Sequence, residues 1–173
     1  MAVREIVLLG DPVLRQESAP VEVFDDALRE LVSDMFETMY HANGVGLAAP
    51  QIGISQRILV IDVHDEDDPE SGRLALINPE IVAESEEIDR AGEGCLSIPG
   101  LEEIVARPWA VQVRGFDPEG NEVEIEADDL MARALQHEID HLDGVLFLDR
   151  VGPLQRRMLI KKWKKLQSEA EGN

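Results

Sequence analysis

The stretch DDLMARALQHEIDHLDG, residues 128–144, reads as a helix that carries its own start and stop signals. Asp128 or Asp129 offers a capping carboxylate at the front, and Gly144 suits the left-handed residue just past the end. An α-helix turns about 100° per residue, so His137 and His141, four apart, project from one face with Glu138 beside them. Leu130 and Ala134 fall on that face by the same spacing. Two imidazoles so placed can share one ion, and the rest of the chain is best read by what it packs around this helix.

Upstream, Val111 and Val113 alternate with polar neighbours, Asp117-Pro118-Glu119-Gly120-Asn121 makes a turn, and Val123, Ile125 and Ala127 alternate again, which predicts a β-hairpin. Arg57 to Val63 is short and rich in β-branched residues, the pattern of a buried strand. Polar loop residues from His64 to Gly72 separate it from Leu74 to Val82, where Pro79 predicts an edge or interrupted strand. From Asp25 to Ala42, Leu28, Leu31, Val32, Met35, Phe36 and Met39 recur at spacings of three and four, predicting a helix capped by Asp25 or Asp26 and ended by Asn43-Gly44. Ile6 to Leu9 reads as a short extended piece closed by the Gly10-Asp11-Pro12 turn. Downstream, Leu154, Met158, Leu159, Trp163 and Leu166 predict an amphipathic helix over residues 153–168. The expected class is α+β, with mixed or antiparallel sheets packed around the central helix and a helix near each end, in one domain spanning residues 1–173.

Of the 173 residues, 44% are apolar and 30% charged, the balance of a globular protein able to bury one core. The apolar runs fall far short of the ~20 residues a membrane span needs, and the N-terminus shows no secretory pattern, so a cytoplasmic protein is expected. A formal charge of −20 argues against a general or sequence-specific nucleic-acid binder. The charge is unevenly placed. Residues 1–150 hold ten arginines and no lysine against 34 acidic residues, whereas the tail carries Arg156, Arg157, Lys161, Lys162, Lys164 and Lys165 against Glu169 and Glu171. Such an asymmetry marks a candidate docking surface.

A tetrahedral catalytic metal wants three protein ligands and one open position, and His137 and His141 supply two. No histidine follows His141, and the downstream glutamates lie at the tail, so the lone cysteine, Cys95, becomes the third candidate. Its neighbours Glu93-Gly94-Cys95-Leu96-Ser97 are small and turn-like, which permits close approach. A divalent ion held by one thiolate and two neutral imidazoles acidifies a water to a pKa of about 7, and Glu138 is placed to take its proton. Gly44-Val45-Gly46-Leu47-Ala48-Ala49-Pro50-Gln51 offers close backbone approach to an extended substrate and an amide donor in Gln51 for a developing oxyanion. Together these predict metal-dependent hydrolysis of an amide. A zinc peptidase with the same helix motif lacks its downstream ligand here, and a redox-sensing metal module would need neither Glu138 nor Gln51.

GVGLAAPQ (44–51), EGCLS (93–97) and QHEIDHLDG (136–144) together resemble the three motifs of peptide deformylase, in the family's order and at similar separations. The likeness extends from Asp11-Pro12-Val13-Leu14-Arg15 to the final helix and is closest to the type 1 branch. It implies removal of the formyl group from N-formylmethionine of nascent polypeptides, releasing formate, with Fe²⁺ as the usual ion and Zn²⁺, Ni²⁺ or Co²⁺ also compatible with the donors. It implies further that Cys95, His137 and His141 bind the metal, that Glu138 moves protons, and that Gln51 and the Leu96 N–H stabilise the oxyanion. Val45, Gly46 and Gly94 would hold the peptide backbone, and Val45, Leu130, Ala134 and His137 would take the methionine side chain, with the aliphatic stem of Arg133 on the pocket wall. Glu93 is expected to pair with Arg107 and brace the Cys95 loop. In this family the C-terminal helix is implicated in docking on the ribosome, and the basic tail fits that role.

Overall fold

A computed structural model describes residues 2–63 and 72–171. The first helix, α1 (Asp26–His41), starts where expected, with Asp25 as N-cap accepting from the Leu28 N–H at 3.0 Å. Just past its end at His41, Asn43 takes a φ of 59°. A short strand, β1 (Gly46–Ala48), follows, then a 3₁₀ turn (Ala49–Ile52) and the buried strand β2 (Ile58–Asp62). The polar loop expected at His64 to Gly72 lies, but for Gly72, outside the described residues. Next come β3 (Arg73–Glu84), β4 (Ile88–Gly94), β5 (Glu102–Pro108), β6 (Ala110–Phe116) and β7 (Glu122–Asp128). The chain then enters the central helix α2 (Asp129–Leu142) and, after a 3₁₀ turn (Phe147–Asp149), the C-terminal helix α3 (Pro153–Glu171).

Five strands form one sheet in the order β1-β2-β3-β6-β7, and β4 and β5 form a second, two-stranded one. Every strand pair described is antiparallel, so the mixed alternative reduces to an isolated parallel bridge between Ala19 and Gln56. β3 lies inside the sheet, between β2 and β6, not at an edge. Its interruption is real. The register slips between Ile77 and Glu80, around Asn78 (φ 51°) and Pro79, and Gly115 on β6 lets the displaced backbone come close. A bulge thus accommodates the proline, which has no N–H to give the ladder.

The large sheet is covered on both faces, which explains the unbroken apolar run of β2. Ile58 and Val60 pack with Met35, Phe36 and Met39 of α1, whereas Leu59 and Ile61 pack with Ala132, Leu135 and Ile139 of α2. A third cluster, with Ile98, Leu101, Phe147, Leu159 and Trp163, docks α3 beside the loop carrying Cys95. Leu154 and Met158, expected in the buried stripe of α3, are instead 65% and 64% exposed. The β4–β5 pair was not foreseen, because β4 reads Ile-Asp-Arg-Ala-Gly-Glu-Gly and shows almost no apolar alternation. No helix among the described residues is long and apolar enough to cross a membrane.

Candidate metal centre and substrate cleft

α2 is buried from Ala132 to Leu142, an enclosure that sets the chemistry of its polar face. Asp128 occupies the N-cap without a side-chain bond, and at the far end Gly144 takes a φ of 75° just past the last turn. His141 Nε2 lies 3.2 Å from His137 Nε2 and 3.3 Å from Cys95 Sγ, and the three donor atoms fall within 4.8 Å of one another. Bonds of about 2.0–2.3 Å to a tetrahedral ion would separate its ligand atoms by roughly 3.3–3.7 Å, so the cluster has the spacing a cation needs.

Hydrogen bonding sorts the imidazole nitrogens. Glu93, on β4, holds His137 Nδ1 at 2.6 Å, which places the proton there and leaves Nε2 as an acceptor facing the cluster. Burial disfavours a charged His137, but the charges of Glu138 and Cys95 and the bond to Glu93 outweigh it and raise its pKa well above the usual value. His141 is held neutral by burial, reinforced by the charge on His137. One thiol and two imidazoles gathered this closely are a donor set that a divalent ion could take up with both rings neutral.

Glu138 faces the same space. Burial pushes its carboxyl up to about 7, with His137 pulling the other way and Glu93 adding to the rise. Its Oε1 is buried and has no hydrogen-bond partner among the described residues, so that atom serves no structural bond. Gln51 is fixed at its other end: Oε1 accepts from the Ala48 N–H at 2.9 Å, turning Nε2 toward Ser97 Oγ at 3.2 Å and Cys95 Sγ at 3.5 Å. Ser97, fully buried, was not singled out as a site residue, although it lies within the EGCLS segment.

Above the cluster opens a cleft of about 400 Å³. Val45, Gly46, Gly94, Leu96, Leu130 and Ala134 line it, together with Gln51, Cys95, Arg133, His137 and Glu138. Val45 and Leu130 are about half exposed at its mouth, leaving apolar surface open there. Among the described residues, β1 and β4 each pair on one side only, and both contribute glycines to the cleft walls. Two free strand edges thus flank a narrow apolar slot, the arrangement in which an extended peptide can add as a strand. Gly46 packs against Glu138 so closely that a Cβ there would sit 2.5 Å from Oε2.

The Glu93–Arg107 pair is present, with Nη2 and Nε at 2.6 and 2.8 Å from the two carboxylate oxygens. Arg133 has a further set of contacts. Besides lining the cleft, its guanidinium is buried against Glu93 at 2.8 Å, the Val105 carbonyl at 3.0 Å and Asp89 at 3.3 Å. Glu93 is consequently gripped by two arginines and a histidine; against the cost of burial, Arg107 and His137 hold its carboxyl well below the usual range.

Residues 3–157 match the polypeptide deformylase family. The chain belongs to that family. It is 53% identical over 169 residues to the peptide deformylase of Brucella suis, covering 98% of this chain and 96% of that one. It is 54% identical over 170 residues to that of Bartonella tribocorum, with the same coverage. Among solved structures, the peptide deformylase of Legionella pneumophila superposes with a TM-score of 0.90 at 44% identity, covering 99% of each chain. That of Ehrlichia chaffeensis in complex with actinonin gives 0.89 at 44% identity, covering 95% of this chain and 98% of its own. Peptide deformylases are metal-dependent hydrolases of a formamide bond, removing the formyl group from N-formylmethionine of nascent polypeptides, and this is the activity of the chain.

Proposed function

We propose that residues 1–173 act as one catalytic unit in which Cys95, His137 and His141 hold an Fe²⁺ ion and Glu138 moves the protons of deformylation. The observation that carries this reading is the meeting of three donor atoms within 4.8 Å, beside a buried carboxylate whose Oε1 has no partner among the described residues. A bound divalent ion supplies Lewis acidity and lowers the pKa of water to about 7. Zn²⁺, Ni²⁺ and Co²⁺ suit the same donors.

The residues divide the work. Val45, Gly46 and Gly94 bind the formylated peptide through their backbone, as a strand between the free edges of β1 and β4. Leu130, Ala134, the His137 ring and the stem of Arg133 receive the methionine side chain. Glu138 accepts a proton from the attacking water and returns it to the departing amine nitrogen, so that a neutral amine leaves together with formic acid, which gives its remaining proton to the solvent or the amine as formate is released. Gln51 Nε2 and the Leu96 N–H donate to the oxygen of the formyl carbonyl as charge builds on it.

We place the chain in the cytoplasm, where nascent formylated chains emerge, with α3 meeting the ribosome through its basic face; binding there weakens as salt rises. The central experiment is anaerobic purification with metal analysis, followed by formate release from a formyl-methionyl peptide. Iron near one equivalent and a loss of at least 100-fold in Glu138→Gln support the reading. Full activity in that variant overturns it.

A further inference from the structure

A chain of alternating charges runs from the foot of α3 into the metal cluster. Arg150, between the 3₁₀ turn and α3, donates from Nε and Nη2 to the two oxygens of Asp140 at 3.0 and 2.7 Å. Asp140 Oδ2 also accepts from Arg107 Nη1 at 2.9 Å. Arg107 then donates from its other two nitrogens to Glu93, which in turn holds the Nδ1–H of His137. Arg107, Glu93 and Asp140 are buried, whereas the Arg150 side chain is 49% exposed.

Nothing in the proposed reaction needs Asp140. It does not line the cleft, and both of its carboxylate oxygens accept from guanidiniums, those of Arg107 and Arg150. Keeping a buried carboxylate between two arginines is costly, and apolar residues would often serve stability as well. The forked geometry suggests what it achieves instead. A guanidinium is a rigid plane, so bonds from Arg107 to Asp140 on one side and Glu93 on the other fix the angle at which Glu93 meets the imidazole. A partner behind a ligating histidine sets the orientation and basicity of the ring, and its loss typically lowers metal affinity about 10- to 100-fold.

The geometry points to Asp140 as a positioning residue for His137, acting through Arg107 and Glu93, with Arg150 as the outer anchor that ties this grip to the foot of the C-terminal helix. The inference rests on the metal reading above. It also gives the root of α3 a mechanical connection to the reacting centre, although α3 contributes no residue to the cleft.

The test uses full-length protein loaded with Co²⁺, measuring its visible absorption and the rate of Co²⁺ release to a chelator in wild type, Asp140→Asn, Arg150→Gln and Cys95→Ser. Thermal melting of the metal-free forms is recorded beside them. The expected result is release about tenfold faster in Asp140→Asn, a few-fold faster in Arg150→Gln, and an altered Co²⁺ spectrum in both. Arg150→Lys should restore part of the loss by keeping the charge. A purely structural role would lower the melting temperature without moving spectrum or release rate, and that outcome overturns the proposal. Should Asp140→Asn fail to fold, the half-exposed Arg150→Gln decides alone, and wild-type release from it is equally fatal. If Cys95→Ser retains Co²⁺ as well as wild type, the metal reading itself has failed and the proposal falls with it.

Discussion

Gly46 and Ser97 show how closely the reacting groups are held by residues with no chemistry of their own. A methyl group at position 46 would lie 2.5 Å from Glu138 Oε2, and the mobile end of that side chain, not the backbone, would have to yield. Gly46→Ala should therefore fold normally yet lose about 10- to 100-fold in kcat/KM, since misplacing a reacting group by an ångström costs on that order. Wild-type turnover with an unchanged circular dichroism spectrum would contradict the contact. Ser97 Oγ restrains the Gln51 amide whose other end is tied to the Ala48 N–H. Ser97→Ala should lower kcat several-fold with KM little changed, and the loss should vanish in a Gln51→Leu background, as a double-mutant cycle would reveal.

At the level of elements, β3 and α3 each depart in part from what their sequences suggest. The bulge at Asn78 and Pro79 survives inside the sheet because Gly115 leaves room: a Cβ there would stand 3.1 Å from the Ile77 carbonyl oxygen and 3.2 Å from Pro79 Cα. Both are backbone atoms, which cannot swing aside. Gly115→Ala should cost roughly 1–3 kcal/mol in urea unfolding, the usual penalty of overpacking. For α3, Trp163→Ala should destabilise by roughly 3–5 kcal/mol, whereas Leu154→Ser should stay within about 0.5 kcal/mol, because Trp163 is 6% exposed and Leu154 65%. Equal effects of the two would mean that the helix docks through a different face.

For the whole molecule, acid sensitivity follows from how its carboxylates are tied. The Arg4 guanidinium and the Ala2 N–H hold Asp34 below the usual range, and Arg15 does the same for Asp149 against the opposing effect of burial. These groups lose a proton more readily folded than unfolded, so their contribution is complete above an unfolded pKa of about 3.9 and is lost as pH falls through the depressed folded values. The melting temperature should drop steeply below about pH 4, and Asp34→Asn should flatten that drop while lowering stability at pH 7. An unchanged acid limb in this variant would remove Asp34 from the account. The anchoring reaches across the chain, since Asp34 lies on α1 and Asp149 beside the root of α3.

Much of this was legible in one dimension. Helical spacing alone placed His137, Glu138 and His141 on one face, the alternation of Val111 to Ala127 announced the hairpin, and Asp25, Asn43 and Gly144 marked helix ends, because each depends on neighbours within a few residues. The three motifs likewise named the residues now found around one cleft. Folding in three dimensions decided the rest. That β4, with hardly an apolar residue, is a strand follows from its pairing with β5, and that β3 is interior follows from the partners on its two sides. The route from Arg150 through Asp140, Arg107 and Glu93 to His137 joins residues up to 57 positions apart in the chain. Charges couple through space over a few ångströms, and no local pattern in a sequence records which of them will meet.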